Sequence, residues 1–196
     1  MKTELIIRSN SSDIDFALLK DGKLTALNTE SNENKFSVGD IFIAKIGKVL
    51  SGLNASFVNV GYAKDGFLHY HDLGAQLLSL NKFIKGVSTG KIKDYTLKNF
   101  KLENDIDKNG SIADVLKSGQ KTLVQIVKEP ISTKGPRLSS EISIAGRFMV
   151  LVPFSNRVSV SQKIINIEEK ERLKRLITSI KPKGFGVIIR TVAENK

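Results

Sequence analysis

The sequence has 196 residues, of which 31 are Lys or Arg and 20 are Asp or Glu, so its formal net charge is +11. It contains no Cys, which excludes disulfides, Cys-ligated zinc, iron–sulfur clusters and thiol nucleophiles. No apolar run approaches the roughly 20 residues of a membrane span, and no signal-peptide pattern opens the sequence, so we expect a cytoplasmic protein.

The positive charge rises along the chain. The net charge is −1 over residues 1–80, +4 over residues 81–133 and +8 over residues 134–196. Such a basic balance indicates a polyanionic partner, with nucleic acid ahead of an anionic membrane surface. Charge alone does not separate this interpretation from a basic surface that serves solubility.

The first elements are two apolar runs, residues 3–8 and 15–27, and the second run is divided by Asp21-Gly22. An Asp-Gly pair between strand-like runs predicts a β-hairpin. Residues 28–35 are polar and rich in turn formers, which predicts a boundary or linker there.

Residues 38–73 form a dense β region with frequent glycines, which predicts an all-β barrel or sandwich. Residues 74–111 differ in character. Their centre is rich in Lys and Asn and shows little periodicity. We interpret this segment as a long, partly mobile excursion from the barrel, which is unusual in a compact domain.

The second half of the chain alternates strands with one helix. Residues 121–130 and 184–192 are strand-like, and the unbroken apolar run 147–153 predicts a buried strand. Residues 164–180 predict a helix that ends at Lys181-Pro182. The residues expected on its buried face are Leu173, Leu176, Ile177 and Ile180. Asn166 and Glu169 are expected to form a capping box at its start.

Histidines occur only at His69 and His71, next to Asp72. Residues at i and i+2 of a strand point to the same face, so the two imidazoles could share a metal ion. No third ligand is evident from the sequence. The alternative is a polar pair beside solvent or RNA, and we predict no metal site.

Two carboxylate pairs, Asp13 with Asp15 and Asp105 with Asp107, have the same spacing. Paired carboxylates can hold Mg²⁺ for phosphoryl transfer, but solvated acids in loops have the same pattern. The sequence has no phosphate-loop motif and no nucleophile-elbow motif. It therefore shows no strong catalytic signature.

Phe57 and Phe67 each lie in a short β run next to glycines, in ASFVNVG and DGFLHYH. Aromatic side chains on the outer face of a small barrel stack on unpaired bases, at about 1–3 kcal/mol per base. Lys45, with Lys48 and Lys64, could follow the phosphate backbone. Periodicity alone does not separate this interpretation from one in which both Phe side chains are core residues.

Arg190 follows the apolar run Val187-Ile188-Ile189 and precedes Thr191. The planar fork of Arg matches phosphate, and a hydroxyl adds one more hydrogen bond, so the pair is a candidate anion site. The alternative is a strand-end arginine that pairs with an acid.

Residues 38–73, with ASFVNVG and DGFLHYHDL, and residues 112–140, with LKSGQKTLVQIV and RLSS, resemble the ribosomal S-one-type RNA-binding domain. The flanking segments, DFALLKDGKLTALNTES in front and GFGVIIRTV behind, extend this resemblance to the bacterial ribonuclease E/G family. The order of the motifs is similar over essentially the whole chain.

The resemblance implies an α+β, mainly β fold. It implies ribonuclease-H-like N-terminal strands over residues 1–36 and a five-stranded OB-fold barrel over 37–140, with an insertion at about 74–111. A small α/β 5′-sensor domain would follow over residues 141–196.

The resemblance also implies roles for particular residues. Those matching RNA contacts of the barrel are Phe57, Phe67 and Lys134, to which we add Lys45 from the charge pattern. Those matching the site for a 5′-phosphate are Arg190, Thr191, Gly146 and Val150.

The implied function is the RNA-binding and 5′-monophosphate-sensing part of an endoribonuclease that cuts single-stranded RNA in processing and decay. The catalytic Mg²⁺ site, a structural Zn²⁺ site and the regions for homo-oligomerisation would lie beyond Lys196. We therefore expect no cofactor here and an inactive fragment. The alternatives are a non-enzymatic RNA-binding adaptor, a module that binds an acidic protein, and a nuclease that uses the Asp pairs.

Overall fold

The computed structural model describes residues 2–31, 36–131 and 133–196. The chain divides into two compact units, Met1–Ser37 and Val38–Lys196. Within the described residues, no helix combines the length and apolar character needed to cross a membrane.

The first unit is a three-stranded antiparallel sheet with its strands in sequence order, β1 (Thr3–Ser9), β2 (Asp13–Lys20) and β3 (Lys23–Ser31). The predicted hairpin is confirmed. Asp21 and Gly22 have φ values of 48° and 77°, and positive φ at both central residues is the requirement of a type I′ turn.

The predicted boundary at residues 28–35 is wrong at its start, because β3 continues to Ser31. Polar residues such as Asn28 and Thr29 pair there with Phe16 and Asp15 of β2. Ladder hydrogen bonds to a neighbouring strand thus outweigh local turn preference. Residues 32–35 lie outside the described residues.

The second unit begins with a closed five-stranded barrel, which confirms the predicted β region. The strand order is β4-β5-β6-β8-β7, and β7 pairs back with β4. Among the described strands of the barrel, β6 and β8 pair in parallel and the other neighbours pair antiparallel. The barrel strands are β4 (Ile41–Leu50), β5 (Ala55–Asn59), β6 (Gly66–His69), β7 (Lys121–Lys128) and β8 (Arg137–Ser139).

Apolar side chains from all five strands fill the barrel. Each is at most 1% exposed, and they are Ala44, Ile46, Val58, Leu68, Val124, Ile126 and Leu138. Because successive side chains of a strand point to opposite faces, the neighbours of these residues point outward.

The segment between β6 and β7, which includes the predicted excursion at 74–111, contains more regular structure than its sequence pattern indicated. It contains the helices α1 (Leu77–Ser88) and α2 (Ile112–Val115). Leu77, Leu80 and Ile84 of α1 are at most 7% exposed. Asn81 accepts a hydrogen bond of 2.7 Å from Thr122 of β7. Leu77, Leu80 and Ile84 do recur at helical spacing, but the Lys- and Asn-rich residues 89–110 that follow contain no helix and obscure the signal over the whole segment.

Three phenylalanines connect this segment to the second half of the unit. Phe83 of α1, Phe100 and Phe154 contact each other edge to face, with ring centroids 5.5–5.7 Å apart. Phe154 is only 5% exposed. Such aromatic pairs add to the free energy gained by burying their surface, so the cluster fixes the segment against the part that follows the barrel.

The remaining residues form a four-stranded sheet in the order β11-β12-β10-β9. β11 and β12 are parallel and are connected by helix α3, as a parallel pair requires a crossover. The elements are β9 (Ile144–Ala145), β10 (Met149–Pro153), β11 (Val158–Val160), α3 (Ile167–Ile180) and β12 (Phe185–Ile189).

Two details of this sheet differ from the sequence predictions. β10 is only half buried, because α3 covers one face of the sheet and Val150 lies on the other. On α3, Leu173 and Ile177 are buried, whereas Leu176 and Ile180 are 45% and 65% exposed. A helix on a single sheet buries a narrow stripe, here the i, i+4 row.

The predicted capping box is half confirmed. Asn166 accepts a hydrogen bond from the Glu169 N–H at 3.2 Å, but Glu169 does not reach back. Its carboxylate accepts hydrogen bonds from Arg172, at 2.6 and 2.8 Å, and from the Asn195 N–H, at 2.8 Å. These bonds, chiefly those from Arg172, lower the pKa of Glu169 to about 2. The carboxylate thereby ties α3 to residue 195.

Glu169→Gln is expected to flatten the pH dependence of stability. Since the pKa of Glu169 falls from 4.5 to about 2 on folding, its ionised form stabilises the fold above pH 4.5. That contribution is lost as the pH falls from 4.5 towards 2. Urea unfolding at neutral and acidic pH measures it. Glu171→Gln, exposed on the same helix, is the control and should follow wild type. The same pH dependence in Glu169→Gln and wild type would contradict the assignment.

Candidate functional site

Phe57 of β5 and Phe67 of β6 lie directly opposite each other on the outer face of the barrel. Their ring centroids are 6.0 Å apart, in an edge-to-face arrangement. Phe57 is 38% exposed, whereas its neighbour Val58 is fully buried. The register thus decides between the two interpretations that periodicity left open, because both Phe side chains face outward.

His69 and His71 extend this aromatic row. The ring centroids of Phe67 and His69 are 6.5 Å apart, and those of His69 and His71 are 5.0 Å apart. The expectation that both histidines share a strand face is wrong, since β6 ends at His69 and His71 lies in the following 3-10 turn. The turn still brings the second imidazole to the same side.

The aromatic row forms the floor of a groove of about 950 Å³. Lys64, Lys134 and Arg137 line it, together with Asp65 and Thr133. The groove therefore combines flat ring faces with cationic side chains at its edge. This combination suits a ligand that has both aromatic and anionic groups.

A close backbone crossing positions Lys134. Ile131 and Lys134 exchange two backbone hydrogen bonds, of 3.0 and 3.2 Å. The next residue, Gly135, passes so close to the β5–β6 connection that a Cβ atom there would lie 2.1 Å from the carbonyl oxygen of Asp65. Only glycine permits this approach, which holds Lys134 beside Lys64.

Arg137 is held by a bidentate ion pair that the sequence did not reveal. Its Nε and Nη2 donate to the two carboxylate oxygens of Asp72, each at 3.1 Å. The hydrogen bonds to Asp72 keep the pKa of Arg137 above its usual value. Because the Arg137 side chain is still 47% exposed, its remaining donors can contact a ligand in the groove.

Lys45 does not line the groove but lies beside it. In the β4–β5 ladder it is opposite Asn59, which is two residues from Phe57 and on the same face of β5. Of the four predicted RNA contacts, the structure therefore brings Phe57, Phe67 and Lys134 into one groove. Lys45 lies on the adjacent surface.

The predicted anion site lies at the end of β12. The Arg190 N–H donates to the Phe148 carbonyl, and Arg190 Nη1 donates to the Gly146 carbonyl, each at 2.8 Å. The alternative interpretation was a strand-end arginine paired with an acid. Within the described residues, Arg190 forms no ion pair with a carboxylate. Its side chain is exposed, and the structure places it next to Gly146.

Thr191 and Val150 take different places around Arg190. The Thr191 hydroxyl lies 3.0 Å from the hydroxyl of Ser161, a residue that no sequence signal singled out. Val150 pairs with Ile188 of β12, two residues before Arg190, and so shares the sheet face away from α3. The four predicted residues thus lie on or next to the inner strands β10 and β12, near the end of β12, and their roles remain predictions.

The carboxylate pairs do not form a site in the described residues. Asp15 accepts a hydrogen bond of 2.7 Å from Thr29, and Asp107 accepts one of 2.9 Å from the Asn109 N–H. No group of three or more His, Asp or Glu side chains in this part of the chain is arranged to hold a metal ion.

Comparisons with known proteins agree on one family. A model of the ribonuclease E/G family matches residues 143–196. Ribonuclease E of Synechocystis sp. is 36% identical over 159 residues, which cover 81% of this chain and 20% of that protein.

Two relatives named ribonuclease G align over nearly the whole chain. The protein from Salmonella typhimurium is 31% identical over 194 residues, 99% of this chain and 36% of its own length. The protein from Haemophilus influenzae is 32% identical over 191 residues, 97% of this chain and 35% of its own length. The chain thus spans about a third or less of the relatives that it matches.

Gly135→Ala is expected to destabilise the groove, because its new methyl group would overlap the Asp65 carbonyl. Overpacking of this kind costs about 1–3 kcal/mol, or roughly 5 °C in melting temperature for a unit of this size. Thermal unfolding measures the change. Gly52→Ala is the matched control, since nothing lies within 4 Å of a Cβ atom there. Equal melting temperatures for the two variants would contradict the close crossing.

Proposed function

Because the chain belongs to the ribonuclease E/G family, we propose that its barrel groove binds single-stranded RNA and that Arg190 binds a 5′-monophosphate. The observation that carries the proposal is the outward-facing pair of Phe57 and Phe67 with Lys134 beside it. Exposing two phenylalanines costs solvation free energy, which a ligand with flat apolar faces recovers.

The barrel topology supports an OB fold. OB folds are five-stranded Greek-key barrels that bind oligonucleotides on the face of strands two and three and with the loop between strands four and five. Here Phe57 lies on the second barrel strand, Phe67 on the third, and Lys134 in the connection between the fourth and the fifth. All three residues therefore occupy the positions that such a binding mode uses.

In this proposal the groove contacts bases and backbone by different means. Bases stack on Phe57 and Phe67, and His69 offers a further ring, so stacking selects unpaired bases without reading their sequence. Lys64 and Lys134 contact the phosphates. A duplex is excluded because its bases are already stacked inside the helix and present no free faces.

The 5′-phosphate site is proposed at Arg190. Its bond to the Gly146 carbonyl uses one guanidinium nitrogen and orients the guanidinium plane, so the remaining N–H groups can donate to two oxygens of one phosphate. When Ser161 donates to Thr191, the Thr191 proton is free for a phosphate oxygen. A 5′-triphosphate would bring extra charge and bulk to the same site and is disfavoured.

RNA cleavage is proposed for the whole enzyme and not for the residues described here. The resemblance implies that bound Mg²⁺ would activate water for attack on a phosphodiester. The described part of the chain includes no group of three or more His, Asp and Glu side chains placed to hold a metal ion. We expect the chain alone to bind RNA and leave it uncut.

Titration of labelled 5′-phosphorylated and 5′-hydroxyl oligonucleotides tests both sites. Phe57→Ala should weaken both ligands by about 1–3 kcal/mol, since stacking does not depend on the 5′ end. Arg190→Ala should remove a preference of about tenfold for the phosphorylated ligand, because charge-assisted hydrogen bonds are lost.

Tyr95→Ala and Arg175→Ala are the matched controls, as both side chains are exposed outside the two sites. Neither should change affinity more than about twofold. Equal affinity of the wild type for both 5′ ends would refute the phosphate site. An unchanged affinity in Phe57→Ala would refute the groove.

A further inference from the structure

A second basic surface lies on the other side of Lys45 from the groove. We call it the lysine basin, a cavity of about 590 Å³ between the C-terminal half of α1 and the start of β7. Its cationic residues are Lys82, Lys85, Lys117 and Lys121. Asn81, Ser88, Thr89, Ser118 and Gln120 supply neutral polar groups.

Most of this charge is not neutralised. Lys82 pairs with Glu103 and lies 5.5 Å from the Phe100 ring centroid. Among residues 2–31, 36–131 and 133–196, the ion pairs include none formed by Lys85, Lys117 or Lys121. Three ammonium groups around one cavity repel each other, so an anionic ligand would stabilise them.

Strand pairing connects the basin to the groove. Lys121 of β7 lies directly opposite Lys45 of β4, and Lys45 lies opposite Asn59 of β5. Both lysines are exposed. Like charges opposite each other in a ladder are destabilising, and no carboxylate in the described chain forms an ion pair with either.

The distance between the two surfaces is short. Asn59 is two residues from Phe57, and two further strands lead to Lys121, so strand geometry places Lys121 roughly 12 Å from Phe57. Phe57, Lys45 and Lys121 share the outer face of the barrel. A nucleic-acid strand bound on the aromatic row can therefore continue over Lys45 without leaving the surface of the barrel.

We propose that one RNA strand runs from the groove over Lys45 and Lys121 into the lysine basin, where its sugar–phosphate backbone is bound. This inference rests on the proposed function of the groove. Lysines, hydroxyls and side-chain amides are the groups that contact phosphate and sugar, and they carry no sequence information. Those groups dominate the basin wall, which has no aromatic ring for stacking.

RNA length separates the two surfaces experimentally. An oligonucleotide of about four nucleotides can fill the groove alone, whereas one of about twelve can also reach the basin. The variant Lys117→Gln/Lys121→Gln should bind the longer RNA about tenfold more weakly at ~0.1 M salt and bind the shorter one as wild type does. The slope of log affinity against log salt should fall by about 1.4 for the longer RNA, since two phosphate contacts are lost.

The control is the double variant Lys174→Gln/Lys183→Gln, which makes the same charge change on α3 and on the connection to β12. Phe57→Ala tests binding in the groove. The proposed path of RNA into the lysine basin is wrong if Lys117→Gln/Lys121→Gln binds the longer RNA as wild type does. It is also wrong if Lys174→Gln/Lys183→Gln loses as much affinity as that variant. If Phe57→Ala still weakens binding in either case, RNA binds in the groove but does not continue into the basin. If wild type binds RNA of neither length, the proposals for the groove and for the basin are both wrong.

Discussion

The alternation of side chains along β5 and β6 is the constraint on which the proposed site depends. Val58 and Leu68 fill the barrel, so their neighbours Phe57 and Phe67 must face outward. A shift of one residue in register would exchange the two sets and place both phenylalanines inside. The register that packs Val58 and Leu68 into the core therefore also exposes the aromatic pair.

The surrounding loops turn this exposed pair into a site. Gly135 lets the β7–β8 connection cross the β5–β6 connection, which brings Lys134 to the groove. Asp72 holds Arg137, which also lines the groove, by a bidentate ion pair. After β12, the Gly146 carbonyl orients the Arg190 guanidinium by accepting a hydrogen bond from it. At Arg137 and Arg190, a carboxylate or carbonyl contact thus holds a guanidinium that stays partly exposed.

Local signals in the sequence predicted most strands, and non-local pairing decided the rest. Asp21-Gly22 predicted the first hairpin correctly, because the two central residues of a type I′ turn specify that turn by themselves. Helix α1 was not predicted because its short apolar pattern runs directly into the irregular, Lys-rich residues 89–110. Arg137 could not be placed in advance, because only the parallel pairing of β6 with β8 brings it opposite Phe67. The resemblance to a known family, and not periodicity, suggested Lys134 and Gly146.

The central claim is that RNA bases stack on the outer face of β5 and β6. Photocrosslinking of a 4-thiouridine-containing single strand, followed by mass spectrometry of the digested protein, tests it most directly. Crosslinks are expected on the peptides that contain Phe57, Phe67 and His69, and an excess of unlabelled single-stranded RNA should remove them. Crosslinks confined to α3 or to the first unit, with none on β5 or β6, would contradict the claim.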